Sequence, residues 1–279
     1  MKPTYAVSVA ILESAAAELK PEAAFAMFSG GHDSLCSTHL AMSTGIPQAV
    51  VHINTGIGIP QTREFVRNTC AAYGWPLLEY HPPKLTYRDI VLKFGFPGPG
   101  FHHVPYRWLK ERAIDAIVRE HKRTRRGKVM LITGVRRSES TRRMGHIKPL
   151  VTKGARAWVA PIIGWDDHDK NEYMQEYKIP RNEVVDLLCM SGECLCGAFA
   201  KPGELDEVRT WFPGTAAEID ALAEEAAALG KHAIWGVRQK RSRVPKEQMP
   251  MDLCWSCEAK LERMEENDGT SEVPREARV

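Results

Sequence analysis

The sequence predicts an α/β protein built on a doubly wound parallel sheet of about five strands, followed by a small cysteine-rich C-terminal region. Three observations predict it. Compact apolar runs ended by glycine loops alternate with helix-like stretches, the pattern of parallel βαβ units. Past Pro180 that pattern breaks, because cysteines, Gly203 and Pro213 interrupt the periodicity. The length of 279 residues, 43% of them hydrophobic, suits one large domain with an appendage.

Taken in order, Ala23 to Phe28 is an apolar run ended by Ser29-Gly30-Gly31, and Asp33 to Met42 reads as a helix closing at Gly45. A second strand, Gln48 to Ile53, ends in Asn54-Thr55-Gly56. Pro60 then opens a helix that stops at Gly74, proline first and glycine last. Pro76 to Tyr80 is a third short strand. After His81-Pro82-Pro83, the Gly/Pro-rich stretch from Phe94 to Gly100 reads as a functional or mobile loop before a helical run, Pro105 to His121. Val129 to Thr133 is a further buried strand, ended by Gly134. Ligands of such sheets sit at the carboxyl ends of strands, where the loops at Ser29, Asn54 and Gly134 begin. Farther on, Ala216 to Leu229 is an Ala/Glu-rich helix, and the charged stretch Glu265 to Val279 reads as a disordered tail. The expected organisation is 1–182, 183–264 and the tail 265–279, with no internal repeat.

The longest N-terminal apolar stretch, Ala6 to Leu12, is too short to span a bilayer and runs straight into Glu13, so a cytoplasmic protein without a membrane partner is expected. Seven cysteines without a secretory signal argue against a disulfide framework and for metal ligation or redox chemistry. Net charge is only +3, but Lys and Arg gather in two runs, His121 to Lys128 and Arg238 to Arg243. Such runs are solvated surface or a contact for nucleic acid.

Ser29-Gly30-Gly31-His32-Asp33-Ser34 lies between a strand and a helix, where unpaired N–H groups and the helix dipole favour an anion. The glycines admit close approach of phosphate oxygens and the two serines add hydroxyls. Asp33 suits either a magnesium ion or the helix cap, and a glycine turn with an Asp cap is the plainer alternative. The spacing is not that of a Walker A loop. These residues resemble the S-G-G-x-D-S signature of the PP-loop, or adenine nucleotide α-hydrolase-like, superfamily. Many of its members have Lys where this chain has His32, and a His near its usual pKa is only partly protonated at neutral pH.

Three further segments resemble one branch, the phosphoadenosine phosphosulfate reductase family, over roughly Ala23 to Asn182. His52-Ile53-Asn54-Thr55-Gly56 with Pro60-Gln61-Thr62 is similar to D-T-G…P-E-T, with Asn54 and Gln61 in place of two acids. Thr133-Gly134-Val135-Arg136-Arg137-Ser138-Glu139-Ser140, followed by Arg142 and Arg143, resembles T-G-x-R-x-x-E-S-x-x-R, which lies over the nucleotide in that family. Guanidinium forks bind phosphate or sulfate oxygens bidentately, and Arg136 is the leading anion ligand. Pro161 to Asp169, continuing through Tyr177, Ile179, Pro180 and Asn182, resembles P-L-x-D-W-x-x-x-D-V…Y…I-P-x-N-P. This part reads as scaffold, with Trp165 packing and Asp166 or Asp167 capping a helix. The resemblance implies Asp33 and Arg136 as catalytic groups. It implies nucleotide contacts from Ser29 to Ser34, Asn54, Thr55, Gly56, Gly134, Arg136, Arg137, Ser140 and Arg143, with ATP or adenylyl sulfate as the nucleotide.

Cys189, Cys194 and Cys196 cluster, and Cys254 with Cys257 forms a C-x2-C pair about sixty residues later, whereas Cys36 and Cys70 fall on predicted helices as core thiols. Spacing leaves zinc and an iron-sulfur cluster both open. The resemblance favours 4Fe-4S, since assimilatory adenylyl-sulfate reductases and the phosphorothioate-DNA sulfur-incorporation enzymes bind one in a comparable place. The implied ligands are Cys194, Cys196, Cys254 and Cys257, with Cys189 as the alternative. The reductases' E-C-G-L-H motif has no counterpart, because no cysteine follows Cys257. The expected activity is therefore ATP pyrophosphatase or adenylation chemistry coupled to iron-sulfur-dependent sulfur transfer, with a nucleic-acid acceptor and a thiol or electron donor as partners. Reduction of adenylyl sulfate or its 3′-phosphorylated form and a non-catalytic nucleotide-sensing module are the alternatives.

Overall fold

The computed structural model describes residues 2–82, 84–139 and 148–237. Ser140, Arg142, Arg143, the basic run at Arg238, Cys254, Cys257 and the tail lie outside the described residues.

A six-stranded sheet runs in the order β3-β2-β1-β4-β6-β5, from β1 (Ala23–Met27), β2 (Ala49–Ile53), β3 (Leu77–Tyr80), β4 (Val129–Ile132), β5 (Leu150–Lys153) and β6 (Arg156–Val159). Five strands are parallel, and β5 is an antiparallel edge strand returned by a turn at Gly154, whose φ is +61°. That hairpin is absent from the sequence expectation. Its strands are four residues each and β5 is mostly exposed, so no apolar run announces them.

Strand residues alternate cleanly between two layers. Ala24, Ala26, Val50, Met130, Ile132 and Val159 face α1 (Pro3–Leu19), α2 (His32–Ser43), α3 (Pro60–Ala72) and α7 (Asp167–Glu176), packing on Leu12, Leu35, Val66 and Tyr173. Phe25, Val51, Val129 and Leu131 face the opposite way, onto Ile114, Ile117 and Val118 of α6 (Arg112–His121). The core thiols Cys36 and Cys70 are buried in the first layer. Strand order reverses between β1 and β4. The crevice at their carboxyl ends is thus the switch point where open α/β sheets bind ligands.

α6 continues a turn at α5 (His103–Pro105) through a π-helical segment, Tyr106–Glu111. A second hydrophobic cluster joins this helix and α4 (Tyr87–Phe94) to α8 (Glu183–Leu188), α9 (Glu204–Trp211) and α10 (Pro213–Ala228). The Gly/Pro-rich stretch, expected to be a functional or mobile loop, is part of it. Residues 95–98 are buried, Phe96 N–H donates to the His232 carbonyl (2.8 Å), and a side chain on Gly95 would collide with His232. Gly95 serves close packing there. Among the described residues no helix is long and apolar enough to cross a membrane.

Candidate functional site

The loop after β1 enters α2 with Gly31 as N-cap, which provides no side-chain cap. The first-turn N–H groups of a helix have no intrahelical acceptor, and those of α2 stand at the carboxyl end of β1. Gly30 has φ +85°, and a Cβ there would stand 2.4 Å from Thr62 Cγ2. Both constraints require glycine. The serine hydroxyls are paired: Ser34 donates to the Gly31 carbonyl (2.8 Å), which leaves Ser29 to donate to Ser34 (3.1 Å). The Ser29 N–H also donates to Ser34 Oγ (3.3 Å).

The loop after β4 closes the other wall. A Cβ on Gly134 would lie 2.5 Å from Ser34 N and 2.6 Å from the Asp33 carbonyl group, so the two loops are in backbone contact. Arg136, only 5% exposed, directs Nη2 at Asp33 Oδ2 (3.1 Å) and Asp167 Oδ1 (3.0 Å) and Nη1 at Ser138 Oγ (2.9 Å). Lys170 on α7 joins the cluster, 2.9 Å from Asp167 Oδ1 and 3.6 Å from Asp33 Oδ1. Its hydrogen bond, with the nearby charges of Lys170 and Arg136, holds the Asp167 carboxyl below its ordinary range. Arg137 follows on a 3-10 turn, its N–H bonded to the Ile163 carbonyl. Asp166 caps α7 through a reciprocal box with Asp169, as the helix-start reading expected, while Asp167 belongs to the ion cluster. Asp166, His168 and Asp169 also group their ligand atoms within 4.8 Å, but the two carboxylates are spent on that cap.

His32 turns away from the cradle. Its Nε2 accepts the Asn182 N–H (3.2 Å), and burial, followed by repulsion from Arg181, holds the imidazole below its ordinary pKa. Accepting that N–H requires an unprotonated Nε2, so the ring is neutral in this arrangement. Asn182, assigned by sequence to scaffold, also donates from Nδ2 to the Gly30 carbonyl (2.8 Å) and caps α8 through Val184 N–H. The signal for it was the Asn-Glu pair of a helix N-terminus.

Asn54 and Thr55 shape the third wall. Asn54 donates to Glu79 Oε1 (2.7 Å) and accepts from Gly56 N–H (3.0 Å), while Arg67 forks onto both Glu79 oxygens at 2.8 Å. The Arg67 fork pulls the Glu79 carboxyl down to about 2. Beyond them lies a strap that sequence reading missed. Three successive carbonyls, of Ser191, Gly192 and Glu193, accept from Thr62 Oγ1 (2.6 Å), Ile59 N–H (2.7 Å) and Thr55 Oγ1 (2.9 Å). The Gly58 backbone lies flat against Glu193, where a Cβ would stand 2.4 Å from its carbonyl oxygen.

The strap leads directly into Cys194 and Cys196, whose thiols are hydrogen-bonded to each other and line a small cavity with His102, Tyr106 and Lys110. That hydrogen bond and burial push the Cys194 thiol well above its ordinary pKa, opposed by the Lys110 ammonium. Lys110 also pairs with the buried Glu193 carboxylate (2.8 Å). Tyr87 and Trp235 clamp the same turn, donating to the Cys196 and Leu195 carbonyls. Cys189 stands apart, exposed at the C-cap of α8 with φ 54°.

The basic run at His121 does not border this crevice. It precedes β4, tied to Glu22 before β1, and so lies at the amino edge of the sheet. Six residues of extended chain put it about 20 Å from Gly134.

The model of the phosphoadenosine phosphosulfate reductase domain matches residues 23–192. No curated protein matches the chain in sequence. Among solved structures, phosphoadenylyl-sulfate reductase from Candida auris in its phosphate complex is 21% identical, with 64% of this chain and 84% of that one covered at a TM-score of 0.51. FMN adenylyltransferase from Candida glabrata, with FAD and inorganic pyrophosphate, is 15% identical (66% and 60% covered, TM-score 0.47). NMN synthetase from Francisella tularensis is 12% identical (77% and 95% covered, TM-score 0.46). At 21% identity the first of these speaks to the fold alone. The family model spans more than half of the chain, which therefore belongs to the phosphoadenosine phosphosulfate reductase domain family of the PP-loop superfamily.

Proposed function

We propose that this protein binds ATP in the switch-point crevice, cleaves it between the α- and β-phosphates to adenylate an acceptor, and couples that step to sulfur transfer at a thiolate-bound centre. The observation that carries the reading is the strap from Ser191 to Glu193, which ties the cradle's third wall to the Cys194 and Cys196 pair. An acceptor atom attacks the α-phosphorus, the bond to the bridging oxygen breaks, and pyrophosphate leaves. The N–H groups at the start of α2, the Ser29 and Ser34 hydroxyls and Arg136 are placed to stabilise that departing charge, a mainly electrostatic form of catalysis. Gly134 and Arg137 line the facing loop, and Asn54, Thr55 and Gly56 the third wall. Asp33 is committed to Arg136 and faces Lys170, which opposes a magnesium site on its carboxylate alone. A magnesium ion would instead arrive with the nucleotide's phosphates.

Cys194 and Cys196 fit a soft metal centre, because neighbouring thiols, one half-buried and one buried, that hold each other protonated are relieved by a cation that takes both as thiolates. Cys254 and Cys257 complete the proposed set from outside the described residues, with Cys189 as the alternative. A 4Fe-4S cluster bound there supplies electron transfer or an iron that can hold sulfur, whereas zinc supplies fold stability. A nucleic-acid acceptor would dock through groups other than the His121 run, and its affinity should fall with salt.

Sulfonucleotide reduction is the second reading. Exposed Cys189 favours it, standing two residues before Ser191, whose Cβ would lie 3.5 Å from one built on Gly31 of the cradle. One experiment separates the readings. Protein purified without oxygen is assayed for iron and sulfide, then given ATP, adenylyl sulfate or its 3′-phosphorylated form, alongside Cys194→Ser and Cys254→Ser. AMP and pyrophosphate from ATP, with about four irons lost in both variants, supports the proposal. Sulfite release selects reduction, and nucleotide binding without turnover of any of the three sinks both.

A further inference from the structure

We infer that Lys170 supplies the cationic contact to the nucleotide's pyrophosphate moiety that the phosphate loop itself lacks. The inference rests on the reading that nucleotide phosphates occupy the cradle at α2. Residues 29–34 contain no Lys or Arg, and the position that many related loops give to lysine is His32. His32 cannot replace it: its Nε2 lone pair is taken by the Asn182 N–H and its ring is buried. A loop of N–H dipoles and hydroxyls is left to face several negative charges.

A cation is delivered from elsewhere. Lys170 leaves the first turn of α7 and brings its ammonium to 3.6 Å from Asp33 Oδ1, at the second residue of the cradle helix. Among the described residues its one hydrogen bond goes to Asp167 Oδ1 (2.9 Å), and an ammonium carries three donors. Its side chain is only 16% exposed, so the charge is held at the crevice rather than waving in solvent. Arg136 differs in that its fork already serves Ser138, Asp33 and Asp167. It can keep a hydrogen bond to each carboxylate while the lysine swings to phosphate. In the segment that Pro161 to Asp169 resembles, the residue after the last Asp is Val, whereas this chain has Lys170. The lysine lost from the loop and the lysine gained on α7 converge on the same helix start.

The test titrates the full chain with ATP, inorganic pyrophosphate and AMP, comparing wild type with Lys170→Ala and Lys170→Gln. Loss of a charged contact to pyrophosphate should weaken ATP and pyrophosphate by roughly 10- to 100-fold. AMP should stay within about threefold of wild type. Lys170→Gln keeps a donor toward Asp167 while removing the charge, so it carries the test should the alanine variant fold poorly. Equal ATP affinity in wild type and Lys170→Gln overturns the inference, as does a parallel loss for all three ligands, which marks a structural role. Wild type that binds none of them overturns the nucleotide reading itself, and a wild type that binds ATP while Lys170→Gln binds it equally overturns only the lysine's part.

Discussion

Asn182 Nδ2 lies 2.8 Å from the Gly30 carbonyl oxygen, joining residues 152 apart in sequence, and the same asparagine's N–H is bound by His32. One side chain thus fixes the φ +85° turn of the cradle and caps α8. Asn182→Ala strands the Gly30 carbonyl and removes the cap, costing about 1–3 kcal/mol. Thermal denaturation should show a midpoint lower by several degrees together with weaker ATP binding. An unchanged midpoint and affinity would mean the contact is incidental.

Gly134→Ala should be among the most damaging single methyl additions. Its Cβ meets the backbone of Asp33 and Ser34, which cannot rotate aside, so the two loops must separate at a cost of about 1–3 kcal/mol. ATP affinity should fall by at least tenfold. Gly164→Ala, whose Cβ meets nothing within 4 Å, is the control and should stay within about 0.5 kcal/mol of wild type. Similar behaviour of the two variants would remove the backbone contact from the site's description.

Glu79 gives the stability a defined acid limb. Its folded pKa, about 2, lies below an unfolded value near 4.3. The carboxylate's contribution is therefore fully present above about pH 4.3 and is lost as pH falls toward 2. Urea midpoints between pH 6 and pH 3 should decline in wild type, while Glu79→Gln starts lower at pH 6 and declines less. Parallel profiles would show that other carboxylates govern acid unfolding.

Thiol chemistry should sort the described cysteines by environment. Burial raises Cys36 to about 12 and Cys70 to about 11, leaving almost no thiolate at pH 8, whereas Cys189 is exposed. Iodoacetamide at pH 8, followed by peptide mass mapping, should label Cys189 first and reach Cys36 and Cys70 only after unfolding. Comparable labelling of Cys36 in the native protein would contradict its burial.

The parallel sheet and its cradle were legible because apolar runs, glycine punctuation and helix starts are local signals, each readable within ten residues. The antiparallel hairpin was not, since exposed β5 carries no apolar run. Lys170, Asn182 and the Ser191–Glu193 carbonyls were hidden for another reason. Their roles come from partners more than 100 residues away, and a backbone carbonyl has no residue type to betray it. The sequence places His32 in the loop facing phosphate, whereas tertiary packing gives its Nε2 to the Asn182 N–H.

The strap also dictates an order of assembly. Thr62 and Thr55 find their acceptors 129 and 138 residues downstream, so a chain leaving the ribosome completes β1, β2 and β3 long before the third wall can close. Contacts of such sequence separation form slowly. The third wall of the crevice is therefore complete only after Glu193 has emerged.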